Sequence, residues 1–213
     1  MIINRPARFE FLSACTRALV LVAAAVAGLT AQVPSDGFAP PSDHDCRAAA
    51  HTVEHGKPAK KEEWAFTTIV RCPAYVGAAG ATAINAMRAE TDTAALAAAL
   101  LPLTNVVDAS LMSADLGVVQ DATASEPARV FAVIGLISLA SSGMVSVPYG
   151  ELVTNGTNCR AEAASLAATV TAPLPAGYLA TIRSALTAVT ASSATGGVKN
   201  AAACGLVVLP DSP

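Results

Sequence analysis

The stretch Ala128–Ala140, ARVFAVIGLISLA, decides the fold, because it is apolar around nearly its whole circumference when drawn as a helix. A helix of this kind is covered by other elements on every side. Ser125-Glu126-Pro127 precedes it and is a strong helix-start signal, and Gly143 can stop it. We therefore predict the most buried helix of the protein here.

The sequence that surrounds this stretch resembles a second part of the chain. Leu116–Leu139 aligns without a gap with Leu186–Leu209, at an offset of 70 residues. Seven apolar or small positions recur, and Lys199 takes the place of Arg129. Each copy predicts a helix, a short polar turn and a second, more apolar helix.

These hairpins resemble the HEAT-like family of helical repeats, in which a basic residue opens an Ala-rich second helix after a polar turn. The resemblance covers Glu62 to Leu209, with a break in the middle. It implies an all-α fold: a short right-handed stack of antiparallel hairpins with a continuous core and a surface for protein binding. The alternative is an irregular α-helical bundle in which the self-similarity arises by chance.

Composition agrees with helices that pack closely through small side chains. Roughly a fifth of the residues are alanine, and aromatic residues make up only 4%. Apolar periodicity and capping signals predict further helices. These are Cys46–His55, with Ser42 and Asp45 as a capping box; Glu62–Cys72; Pro73–Ala89; a helix capped by Thr91 or Asp92; Asp108–Gln120; a helix that restarts at Pro175; and Val198–Leu209.

One region does not fit the helical pattern. Residues 144–172 contain VSVPYGELVTNGTNC, which combines β-branched residues with proline, glycine and an Asn-Gly turn. We predict an extended or irregular insertion there.

The N-terminus has the order of a secretory signal peptide. Three arginines in the first 17 residues precede the apolar run Ala18–Leu29, and Ala31 is a small residue suited to signal peptidase. As a helix the run spans about 18 Å, short of the roughly 30 Å hydrocarbon core. We predict cleavage after residue 31. An uncleaved anchor is the alternative, and lipidation at Cys15 is disfavoured because the apolar run follows that cysteine.

The predicted organisation is a signal peptide over 1–31, a flexible Pro-, Ser- and Gly-rich linker over 32–45, and a helical repeat domain over 46–213. The location is then periplasmic or secreted. No stable membrane span is expected after signal cleavage.

Four cysteines remain in the mature chain. An even number in an oxidising compartment favours disulfides, and we expect the two pairs that close the shorter loops. These are Cys46 with Cys72 and Cys159 with Cys204. Buried free thiols are the alternative.

Charge excludes nucleic acid as a partner. Loss of three arginines and one glutamate with the leader changes the formal charge from -3 to -5. The four lysines, at 57, 60, 61 and 199, form no basic patch with interleaved aromatic residues that could neutralise phosphates.

One motif carries possible metal chemistry. His51 and His55 are four residues apart with Glu54 between them, and HTVEH matches the H-x-x-E-H pattern that inverted zinc peptidases use. A third ligand is needed, and the nearest acid at a suitable distance, Glu126, falls at a predicted helix start. The alternative interpretation is a solvated helix face.

No other catalytic or cofactor motif is present in the sequence, which has neither a G-x-S-x-G elbow nor a phosphate-binding or dinucleotide-binding glycine loop. The sequence therefore predicts an exported, non-enzymatic helical-repeat protein that binds another protein or an envelope component and needs no cofactor. A zinc-dependent hydrolase that uses HTVEH is the alternative.

Overall fold

The computed structural model describes residues 39–55, 63–139 and 177–209. Its contacts divide the chain after Ala39, and every helix described below belongs to the second unit, Pro40–Pro213. Within the described residues the structure is all helical and contains no strand, as the sequence predicts for the fold class. The α-helices are α1 Asp43–His55, α2 Glu63–Ile69, α3 Val76–Ala86, α4 Thr93–Leu100, α5 Ala109–Gln120, α6 Glu126–Ser138, α7 Tyr178–Ala191 and α8 Gly196–Val208.

Helix α6 lies at the centre, and each of its residues from Ala128 to Ser138 is buried. It packs against α4, α5, α7 and α8, and against the short 3-10 helix Leu101–Asn105. Burial on all sides is what the apolar stretch predicts. This helix therefore forms the core around which the others are placed.

Short side chains cap several helices. Asp92 Oδ1 accepts from Ala94 N at 2.9 Å at the start of α4, and Asp108 Oδ1 accepts from Ser110 N at 2.7 Å at the start of α5. Ser125 caps α6. Each acceptor satisfies backbone N–H groups that have no partner in the first helical turn, so these helices begin where the sequence predicts.

The first helix begins earlier than predicted, at Asp43 rather than Cys46. The reason is the capping box itself: Ser42 Oγ accepts from Asp45 N at 3.1 Å, and Ser42 N donates to Asp45 Oδ2 at 3.3 Å. Asp45 is the third residue of the helix in that motif. The last three residues of the predicted linker, 43–45, are thus helical.

The next two helices are shorter than predicted. α2 ends at Ile69 because the chain turns there, with Cys72 N donating to Ile69 O at 2.9 Å. α3 starts at Val76 rather than at Pro73. The two glycines of α3, Gly77 and Gly80, have a tertiary reason: a Cβ on Gly77 would lie 2.6 Å from the carboxylate oxygens of Asp108, and a Cβ on Gly80 would lie 2.5 Å from the Leu111 side chain of α5.

Candidate functional site

The most unusual residue of the core is Asp115 on α5. Its side chain lies in the buried stripe of that helix and is only 7% exposed. It lines a cavity of about 10 Å³, which is close to the space that one water molecule needs. Apart from Asp115 and Thr104 the side chains of this lining are apolar, and they come from α3, α4, the 3-10 helix, α5 and α6 and from Val106 and Leu139, which directly follow the 3-10 helix and α6.

The neighbouring helix is shaped to accommodate the carboxyl group. Gly135 of α6 faces it, and a Cβ on that glycine would lie 2.5 Å from Asp115 Oδ2. Among the described residues, no hydrogen bond or ion pair to the Asp115 carboxyl group is found. Desolvation by burial raises the pKa of this carboxyl group well above its ordinary value. The site therefore favours a neutral acid, which can both donate and accept a hydrogen bond.

The aligned position in the second hairpin has no acid. Ala185 stands where the first hairpin has Asp115, and Gly205 aligns with Gly135. The space over Gly205 is filled by Ile137 and Leu186, whose side-chain atoms lie 2.2–3.0 Å from the position of an added Cβ. The space over Gly205 is thus filled by apolar side chains, whereas the space over Gly135 is filled by the carboxyl group of Asp115.

Sequence reasoning missed Asp115, although one signal was available. The buried residues of α5 recur at helical spacing, and Asp115 occupies one position of that stripe. An acid on an apolar stripe is a candidate for function or for strain, because isolated buried charges are costly.

The predicted HTVEH residues lie in the last turns of α1, where His51 and His55 are exposed, Glu54 is half-buried and Val53 is buried in the core. The rings of His51 and His55 are in contact edge to face, with centroids 4.8 Å apart. Glu54 Oε2 is 3.9 Å from His55 Nε2. Glu126, the distant acid considered as a third ligand, is the first residue of α6. Within residues 39–55, 63–139 and 177–209, no three His, Cys, Asp or Glu side chains form a group that could hold a metal ion.

The predicted pairing of Cys46 with Cys72 is confirmed. The two cysteines form a disulfide with an S–S distance of 2.08 Å, which links α1 to the turn before α3. Cys204 of α8 is also disulfide-bonded. Its predicted partner, Cys159, lies outside the described residues, as does the predicted insertion 144–172, so that pairing stays a prediction.

An open groove of about 530 Å³ lies on the outer surface of the packed helices α3 and α5. Small side chains line it together with Asn85 and Arg88. Arg88 Nη1 donates to Asp121 Oδ2 at 3.0 Å, and Arg88 Nη2 donates to Asn85 Oδ1 at 2.6 Å. Hydrogen bonds from Thr123, followed by that from Arg88, lower the pKa of Asp121. The guanidinium group is therefore held in place at one end of the groove.

The same end is fixed by contacts between two turns. Ser125 N donates to Arg88 O at 2.8 Å, and the Ser125 hydroxyl donates to Glu90 O. The turn after α3 is thus bonded to the turn between α5 and α6. We call the surface lined by Ala81, Asn85, Arg88, Ala109, Ser110, Ser113 and Ala114 the α3–α5 groove.

None of the helices in the part of the chain that the structure describes has both the length and the apolar character needed to cross a membrane. No protein-family model, no curated protein and no solved structure matches this chain.

Proposed function

We propose that this protein is an exported, non-enzymatic helical-repeat protein that binds a protein partner or an envelope component through the surface of its hairpins. In this proposal the hairpins form a short right-handed, HEAT-like stack. The observation that carries it is the correspondence between two helical hairpins at the 70-residue offset.

The correspondence extends from residue types to helix bounds. Adding 70 to the bounds of α6, Glu126–Ser138, gives those of α8, Gly196–Val208, and the bounds of α5 shifted in the same way differ from those of α7 by one residue at each end. The N-cap residues Ser125 and Thr195 also align. Two units whose second helices are equal in length, and whose first helices differ by only one residue at each end, support a repeat.

Packing between the hairpins adds support. α5 packs against α6 and α7 packs against α8, while α6 packs against α8 and α5 contacts α7. Each helix thus contacts its equivalent in the other hairpin. Repeat proteins stack units in this manner to share one core, and they commonly bind partners on the surface that the stacking creates.

The α3–α5 groove is the surface that we assign to the partner. Its small side chains let another chain approach closely, and Arg88 with Asn85 supplies polar groups at one end. Protein interfaces favour such arginine residues that are already held in place, because less side-chain entropy is lost on binding.

Photo-crosslinking in the producing cell tests this assignment. A photoreactive residue is placed at Ser113 or Asn85 in the groove, and at Ser184 on α7 as the exposed control. We expect the same discrete adduct from both groove positions and none from Ser184. Equal labelling from all three positions, or no adduct from the groove, contradicts the assignment.

The extracytoplasmic location is part of the proposal. The disulfide between Cys46 and Cys72 supports it, because structural disulfides persist mainly outside the reducing cytosol.

A zinc-dependent hydrolase is the second proposal, and the contact between His51 and His55 is the observation that favours it. Stoichiometric zinc in protein purified without chelators supports this alternative. Zinc-free protein from the same preparation contradicts it.

A further inference from the structure

We infer that His51 and His55 form a surface chelate for one divalent transition-metal ion, with Cu²⁺ preferred. The inference is independent of partner binding and of hydrolysis, because it requires neither the α3–α5 groove nor a third protein ligand. It rests on the geometry of two imidazole rings on one helix.

The two rings already have nearly the separation that a shared ion requires. With a metal–nitrogen distance of about 2.0 Å, two imidazoles bound at adjacent corners of a square place their centroids about 4.5 Å apart. The observed distance between the centroids of His51 and His55 is 4.8 Å. The rings now lie edge to face, with an interplanar angle of 69°, so side-chain rotation has to direct one nitrogen of each ring to the ion, while the helix supplies the spacing.

Access and the adjacent carboxylate of Glu54 favour a cation at this position. Both histidines are exposed, so the rings can rotate and water can complete the coordination. Glu54 Oε2 lies 3.9 Å from His55 Nε2 and adds a negative charge beside the pair. His55 is also the last residue of α1, where the carbonyl groups of the helix end favour positive charge.

The donor set decides which metal binds best. Two imidazole nitrogens with water in the remaining positions suit the tetragonal geometry of Cu²⁺ and Ni²⁺. Cu²⁺ has the highest affinity in the divalent series. Zn²⁺ in structural sites takes four protein ligands, so this pair should bind it more weakly.

The test is titration of the full mature chain, purified without a histidine tag, with Cu²⁺ in the presence of a competing chelator such as glycine. The wild-type protein is compared with His51→Ala, His55→Ala and the control His44→Ala. His44 is the matched control because it is exposed on the first turn of the same helix. All three side chains are exposed, so helicity by circular dichroism should be unchanged.

We expect one equivalent of Cu²⁺ with nitrogen hyperfine coupling from two imidazoles in its electron paramagnetic resonance spectrum. Either His51→Ala or His55→Ala should weaken binding at least tenfold, since one imidazole cannot chelate, and His44→Ala should leave it unchanged. Binding that is equal in all four proteins, or that is lost only with His44→Ala, overturns the inference.

Discussion

The contact between Asp115 and Gly135 makes a double-mutant cycle the most informative stability experiment. In Gly135→Ala, the new Cβ lies 2.5 Å from Asp115 Oδ2 and 3.0 Å from Asp115 Cγ before any adjustment. Overpacking of this kind costs about 1–3 kcal/mol, and replacing glycine by alanine within a helix returns about 1 kcal/mol. The substitution alone should therefore lower the free energy of unfolding by about 0–2 kcal/mol.

The same substitution should have the opposite effect once the carboxyl group is gone. In an Asp115→Ala background the three carboxyl atoms that lie nearest the new methyl group are gone, so Gly135→Ala should stabilise by about 1 kcal/mol. The difference between the two backgrounds, about 1–3 kcal/mol, is the interaction energy of the pair.

Urea unfolding of the oxidised protein measures this energy. With a slope of about 2 kcal/mol per molar urea, each 1 kcal/mol moves the midpoint by about 0.5 M. Gly196→Ala is the control, because no side chain lies within 4 Å of its added Cβ and its effect should be equal in both backgrounds. A Gly135→Ala shift that is also equal in both backgrounds refutes the packing described for Asp115.

Two further predictions concern the pH dependence of stability and the disulfide. Because burial raises the folded-state pKa of Asp115, its protonated form contributes stability that is fully present below about pH 3.9 and is lost as the pH rises through the folded-state pKa. The free energy of unfolding of the wild type minus that of Asp115→Asn should therefore fall as the pH rises from about 3.9 to the folded-state pKa, by up to about 1.4 kcal/mol per pH unit. Urea midpoints of the two proteins that differ by a constant amount from pH 4 to 7 argue against a buried neutral acid. Replacing both Cys46 and Cys72 by serine opens a loop with a sequence separation of 26 and should cost about 2–4 kcal/mol, measured by thermal unfolding. A thermal unfolding midpoint that is unchanged in this double variant means that the disulfide does not constrain the unfolded chain.

Local signals in the sequence were sufficient for the fold class and for the starts of α4, α5 and α6, whereas α8 begins at Gly196, two residues before the predicted Val198. Asp92, Asp108 and Ser125 are short acceptors directly before apolar segments, and each caps its helix. The most buried helix was predictable because its apolar character extends all round. These features act within one or two turns of the chain, where sequence reasoning is strongest.

Features that depend on distant contacts were not predictable. The turn after α3 is fixed partly by Ser125, which is 35 residues from Glu90 and bonds to its carbonyl oxygen. The position of Asp115 against Gly135 depends on how α5 meets α6. Hydrophobic pattern indicates which face of a helix is buried, but it does not indicate which residue of the partner helix lies opposite.

The pair His51 and His55 was predictable from the sequence only in part. Spacing alone placed His51 and His55 on one helix face, and the structure brings their rings into contact. Spacing offered Glu126 as a third ligand, but whether any residue reaches the pair depends on which other elements approach α1.

Intact mass analysis of the protein isolated from the cells that produce it tests the central claim, an exported and oxidised helical domain, most directly. The account predicts a mature chain that begins at Gln32, with Cys46, Cys72, Cys159 and Cys204 protected from alkylation until a reductant is added. Recovery of a chain that retains Met1 in the cytoplasmic fraction, with all four of these thiols open to alkylation, would contradict it.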